Sequence, residues 1–550
     1  MAVGVALAIF ATGGKTTEAA GPTYLPPTTI AYVEARFDLP GDQRDNLVSF
    51  VGAFPGFDDP ANFDLKINDV LDRLTRDASG DRLTYTGDIK PWFEGEFAFG
   101  GTSLQAELLA PSSGSPSSAA KPPVVGALSV SDRAELDAFL ARQRTFAQES
   151  GASFTETQHE GTTIVTWQQP DSPAGSVSYA VTDDLLLFSL DIDDLREALD
   201  IRAGKQPSLA DSEALKTQFA ALPAERLGAV YFDFASVWAA LQGQLGSMAQ
   251  ALPPGFSPDQ LPRAVVGAVR VESDRLAIDV RLVPGPATPI PPVRDSGLAA
   301  RLPSTTAFYT EHRDIGQVTK SFITQFKAQA GSTIPDSQLR QIEDFLGTPL
   351  EDFLTWVQDL GLAVSIDGDR FGVGIIATVT DETIAIQRIE RLTAAARAAA
   401  AFGDLPFEVV EADVGGVMVT TFRLKGALAA SVPDDLPFEP SLSYAIRDGV
   451  FMLGLGDFVP GVLQRASTDS LASNGGYSSA IDAAGGATNA GVVYLDIAAI
   501  RAAAERFIPA QERAAYDTDT RPFIEPLDRF VGIWTVQDGT LVMRVLLYVE

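Results

Sequence analysis

The sequence predicts an α+β fold made of two tandem, homologous units, each an antiparallel sheet with helices packed on one side. Three observations carry this prediction. The stretch LPPTTIAYVEARFD (25–38) returns as LPSTTAFYTEHRDI (302–315), and five further segment pairs follow in the same order at offsets between 249 and 277. Collinear similarity of that kind marks an internal repeat. Within each copy, period-two strand patterns and helical stripes give way to several strands in succession, as in an antiparallel meander. Between the copies lies VPGPATPIPPVRDS (283–296), whose five prolines deny ladder donors and favour extended backbone. The chain is therefore divided into a targeting segment with a polar linker (1–24), a first unit (25–283), a proline-rich linker (284–301) and a second unit (302–550).

The elements follow in order. TIAYVEARF alternates as a half-buried strand, with Ile30, Tyr32 and Glu34 on one side and Ala31, Val33 and Ala35 on the other. Pro26 is tolerated because it precedes the ladder. APSSGSPSSAAKPP (110–123) reads as a flexible hairpin loop, whereas the second copy turns tightly around Asp367, Gly368 and Asp369. A helix is expected after Asp132, with Glu135 at its third position and Leu136, Phe139, Leu140 and Phe146 on one stripe. Its counterpart starts at Asp381 and carries Ile386, Ile389 and Leu392. SFTETQHE, TTIVTWQ, SVSYAVTDD and LLLFSLD then read as consecutive strands. AVVGAVRVESDRLAIDVRLV is a hairpin turning near Ser273 and Asp274.

Composition bounds the chemistry. The 550 residues carry 41 Lys+Arg against 72 Asp+Glu, a net charge of −31, which repels phosphate backbones and argues against nucleic-acid binding. The chain has no cysteine and two histidines, which excludes disulfides, thiolate catalysis and zinc sites built on Cys or several His. No cofactor and no metal are expected. AVGVALAIFA (2–11) is shorter than the roughly 20 residues that span a bilayer and has the length of a signal h-region or part of an anchor, so an extracytoplasmic location, membrane-anchored or secreted, is expected.

Several apparent motifs dissolve on inspection. GGKTT (13–17) echoes a P-loop, but Ile9 stands where the loop needs its first glycine. SAAK (118–121) has the Ser-x-x-Lys spacing yet sits in a Ser/Pro-rich loop. His159, beside Glu160 and Gly161, reads as a solvated turn residue, and His312 as a strand residue. Asp367-Gly368-Asp369 lacks the further ligands of a calcium loop and reads as turn chemistry. The candidate site residues are Glu34, Arg36, Glu311 and Arg313, which occupy the same strand positions in both copies. Their i, i+2 spacing places each pair on one face, suited to an ion pair or to a charged feature at the mouth of a binding groove.

The opening strand LPPTTIAY, the segment DIKPWFEGEFAF (88–99) and the later SLADSEALKTQFAALP and VYFDF resemble a bacterial family of uncharacterised envelope proteins, catalogued as domain of unknown function 3352. The resemblance covers nearly the whole chain after residue 24. It implies an N-terminal anchor or signal and an extracytoplasmic body, and it carries over no active-site residue. The expected function is that of a non-enzymatic binding or interaction module of the cell envelope, tethered to the membrane through its N-terminal segment, with an unknown protein or apolar ligand as partner. The alternatives are a carrier of lipid or another apolar ligand, motivated by the phenylalanines of WFEGEFAFGG, and a hydrolase using two converging carboxylates.

Overall fold

Alternating strands and capped helices assemble into an α+β architecture. The computed structural model describes residues 20–102, 123–168, 176–245, 258–330, 335–402, 407–426, 440–466 and 468–550. The apolar run at 2–11, GGKTT, SAAK and most of the 110–123 loop lie outside the described residues. Two compact units emerge, one covering residues up to Thr288 and the other Pro289–Tyr548. Packing of the first unit begins ahead of Leu25: Gly21 and Pro22 are buried in a short 3-10 turn, and Tyr24 is buried behind them.

The first unit holds ten strands: β1 (Ala31–Arg36), β2 (Phe93–Gly101), β3 (Val124–Val130), β4 (Ser153–His159), β5 (Thr162–Gln168), β6 (Ser176–Val181), β7 (Leu185–Ser189), β8 (Gly228–Asp233), β9 (Ala264–Glu272) and β10 (Arg275–Val283). They pair antiparallel in the order β4-β5-β6-β7-β3-β2-β1-β8-β9-β10. Its helices are α1 (Gln43–Gly52), α2 (Phe63–Ser79), α3 (Arg133–Glu149), α4 (Ile192–Arg202), α5 (Glu213–Ala220) and α6 (Phe234–Leu245). Asp132 caps α3 by accepting from the amides of Ala134 and Glu135, and Asp191 caps α4 through the amide of Asp193.

The second unit holds β11 (Thr306–His312), β12 (Val357–Asp367), β13 (Arg370–Val379), β14 (Phe407–Val414), β15 (Val417–Leu424), β16 (Ser441–Arg447), β17 (Val450–Gly456), β18 (Gly491–Asp496), β19 (Leu527–Gln537) and β20 (Thr540–Val549). Their antiparallel order is β14-β15-β16-β17-β13-β12-β11-β18-β19-β20, the order of the first unit strand for strand. The register agrees as well: Glu34 faces Ala229, one residue past the start of β8, and Glu311 faces Val492, one residue past the start of β18. Helices α7 (Ile315–Ala330), α8 (Asp336–Leu346), α9 (Glu382–Phe402), α10 (Phe458–Gln464), α11 (Gly475–Ala484) and α12 (Ile497–Ala504) complete it with two shorter ones. Asp448-Gly449 and Asp538-Gly539 close two-residue hairpins with positive φ at both positions, the demand of a type I′ turn.

For the first unit, the expectation that helices pack on one side of the sheet is corrected. In the first unit Leu185 and Leu187 join a core beneath α4 and α5, while Leu186 joins a second core beneath α1, α2 and α3. Consecutive apolar residues point to opposite faces, so LLLF needs cover on both. The α3 stripe is also narrower than its pattern: Leu136 and Phe139 are buried, but Phe146 is exposed and carries the Arg82 guanidinium 4.8 Å from its ring centroid. In α9, Ile389 packs on the core around Trp356 while Ile386 is exposed.

Because Leu187 sits fully buried at the centre of β7 against α4, Leu187→Ala is expected to destabilise the protein by about 2–5 kcal/mol. Urea titration measures this, and a loss below about 1 kcal/mol would contradict the two-faced core.

Candidate functional site

The four charges singled out by the repeat lie inside the fold. Glu34, Arg36, Glu311 and Arg313 are all buried, at 2–4% exposure. All four are enclosed by the fold, although Glu311 also lines a cavity of about 220 Å³. The expected ion pair forms in the second unit. Glu311 pairs with Arg313, which also donates to Asn489 Oδ1 at 2.8 Å and to the Asn489 carbonyl at 3.1 Å. Glu34 instead accepts from Arg226 Nε at 2.6 Å, while Arg36 clamps Asp38 through two bonds of 2.7 and 2.5 Å. A tyrosine two residues earlier donates to each glutamate, Tyr32 at 2.8 Å and Tyr309 at 2.6 Å. Burial, and then the glutamate charge, push both phenols well above their ordinary value. Arg226 and Asn489 escape sequence reasoning because both lie in loops far along the chain. The one readable signal is a polar residue two positions before the apolar strand that follows.

A cleft lies elsewhere, at the end of β5 and β6 where two hairpin turns meet α3 and α4. Its volume is about 740 Å³. Arg133 and Arg144 come from α3, Thr162 and Thr163 from β5, Tyr179 from β6 and Arg202 from the last turn of α4. Each arginine has a carboxylate partner: Asp137 at 2.9 Å, Glu156 at 2.7 Å and Asp184 at 2.6 Å. A second cleft of about 590 Å³ shares Arg202 and is lined by Tyr24 and Lys205. Burial pushes the Tyr24 phenol up to about 12, and its oxygen accepts from Arg202.

Between the clefts, His159 Nε2 lies 3.0 Å from Asp200 Oδ1, and Lys205 binds Glu160 and approaches Asp200 at 3.5 Å. The expected solvated histidine is thus half-buried and partnered. His159, Glu160 and Asp200 bring ligand atoms within 4.8 Å of one another, but the Lys205 ammonium already serves as their cation. His312 is exposed on its strand, with Thr310 Oγ1 at 3.5 Å. Asp367 and Asp369 flank the β12–β13 turn and pair with Arg370 and Arg506.

Fold and clefts define an α+β protein of antiparallel sheets with polar, open concavities. The chain belongs to the family described as Protein of unknown function (DUF3352), whose model matches residues 61–533. No curated protein and no solved structure matches it.

Two predictions follow from the buried charges. Arg226→Met strands the Glu34 carboxylate and is expected to cost about 3–5 kcal/mol, most of it recovered in the Glu34→Met/Arg226→Met double variant. Denaturant titration of the double-mutant cycle decides this; a single variant as stable as the parent would refute the pairing. Glu96 is held by the amides of Ala20 and Gly21, yet burial raises its pKa above 4.5. Its ionised form is therefore a cost that is absent below the unfolded pKa and develops as pH rises through the folded one. Glu96→Gln should gain stability over the parent between pH 4 and pH 7, and an unchanged difference across that range would show the burial attribution to be wrong.

Proposed function

We propose that this chain is an exported, membrane-tethered protein of the bacterial envelope, a non-enzymatic binding module that holds a polar ligand in the first unit's cleft. We further propose that it arose by duplication of one α+β unit. The matching strand order and the matching glutamate register support the duplication. The apolar run at 2–11 supports export.

The observation that carries the binding reading is the cleft itself. Its size suits a small ligand, and its arginines, threonines and carboxylates offer donors and acceptors together, a lining for a polar or zwitterionic group. The hydrolase reading needs carboxylates with raised pKa in the cleft. Asp194 and Glu197 are raised by burial, but neither lines it. A second reading, an apolar ligand or partner, draws on α7, where Val318, Phe322 and Phe326 are exposed at i, i+4 and i+8. Among the described residues no helix is long and apolar enough to cross a membrane.

Native mass spectrometry of the protein purified from its own envelope tests the reading. A small polar adduct is expected on the parent. Its occupancy should fall about tenfold in Ala203→Trp, which fills the cleft from an exposed position. Recovery of phospholipid or fatty acid in its place would overturn the polar reading in favour of the apolar one.

A further inference from the structure

The two buried glutamates sit in the same register but in different surroundings. In the first unit Arg226, two residues before β8, donates to Glu34, and its guanidinium lies 5.5 Å over the ring of Phe219 in α5. Two residues before β18 stands Asn489. Phe219 lies seven positions past Ser212, the N-cap of α5; seven positions past Asn474, the N-cap of α11, stands Ile481. Glu311 takes its cation from Arg313 instead, the ring against Tyr309 is that of Tyr477, and a cavity of about 220 Å³ lies beside Glu311. Ile481 and Asn489 line it, Asp295 and Asp482 stand at its exposed rim, and its lining contains no lysine or arginine.

The charge around this cavity favours a cation. Behind it the guanidiniums of Arg294 and Arg313 meet three carboxylates, Glu311, Asp314 and Asp359. Asp295 and Asp482 add negative charge on the open side. Glu311 accepts one bond on each oxygen, from Arg313 and from Tyr309, which leaves about two of its four acceptor sites free.

We propose that this cavity binds a small organic cation, a guanidinium or primary ammonium group that engages the acceptor sites Arg313 and Tyr309 leave free on Glu311. A planar guanidinium matches a carboxylate through paired N–H bonds, and the recessed position of Glu311 strengthens that attraction relative to water. The proposal is independent of any ligand in the first unit's cleft.

Isothermal titration of the full chain with methylguanidinium chloride and with ethylammonium chloride tests it, with tetramethylammonium chloride as the control at the same ionic strength. Saturable one-to-one binding of at least one of the first two is expected. Ala472→Trp, on the exposed rim, should abolish it by closing the entrance, and Glu311→Gln should weaken it about tenfold or more. Because Glu311→Gln disturbs a buried network, Ala472→Trp decides the matter should the former fail to fold. No saturable binding, an equal response to tetramethylammonium, or binding unchanged in Ala472→Trp would each overturn the proposal.

Discussion

A carboxylate enclosed within a sheet must be met by donors from whatever surrounds it, and in both units that demand falls on the glutamate of the first strand. β1 and β11 are interior strands, and the faces on which Glu34 and Glu311 stand are buried. The nearest donor is supplied locally: a tyrosine at i−2 lies on the same face and reaches the carboxylate. The charge must come from elsewhere. Such an arrangement adds little stability over a well-packed apolar cluster, but it is intolerant of losing one member, because the survivor is left buried and unpaired.

The two units meet the demand differently, and the difference propagates. In the first, Arg226 serves Glu34, which frees Arg36 to hold Asp38 where the chain leaves β1. In the second, Arg313 turns to Glu311 and to Asn489, and Arg294 meets Asp359 and Asp314. The proline-rich segment is thereby tied into the second unit: the Arg294 carbonyl accepts from Arg313, and the Arg294 amide pairs with the Asn489 carbonyl. One change in where the cation originates thus alters a loop, a linker contact and the volume beside the glutamate.

Much of the architecture was legible because strands and caps are local. The β4–β7 meander, the α3 start at Asp132 and the Ser273-Asp274 turn all follow from spacing and turn chemistry. The sidedness of the helices was not. A period of two assigns residues to faces without saying whether each face is covered, and only the unbroken LLLF run hinted that both were. The same limit hid the depth of the charged pairs, since i, i+2 spacing predicts a shared face equally well for a groove and for a core. Phe146 shows a third limit, a stripe residue left outside the contact and covered by Arg82 instead. The partners that decide the site, Arg226 and Asn489, are fixed by strand pairing across more than a hundred residues, and no local pattern encodes that.

Strands and loops divide the labour accordingly. The sheet positions repeat between units: Tyr32 and Tyr309, Glu34 and Glu311, Tyr231 and Tyr494 are all buried at corresponding registers. Concavity, by contrast, depends on what the connections bring. Around the first unit's cleft, Thr182 and Asp183 follow β6 in the turn to β7, where the second unit has Arg447 and Asp448. A scaffold whose buried tyrosine–glutamate pairs hold the register can vary an exposed turn residue such as Asp183, where solvent compensates the change, more readily than the buried Thr182, which accepts from the Leu185 amide. The units differ at strand ends and in the segments before β8 and β18, where Arg226 serves Glu34 in one and Asn489 shares Arg313 with Glu311 in the other.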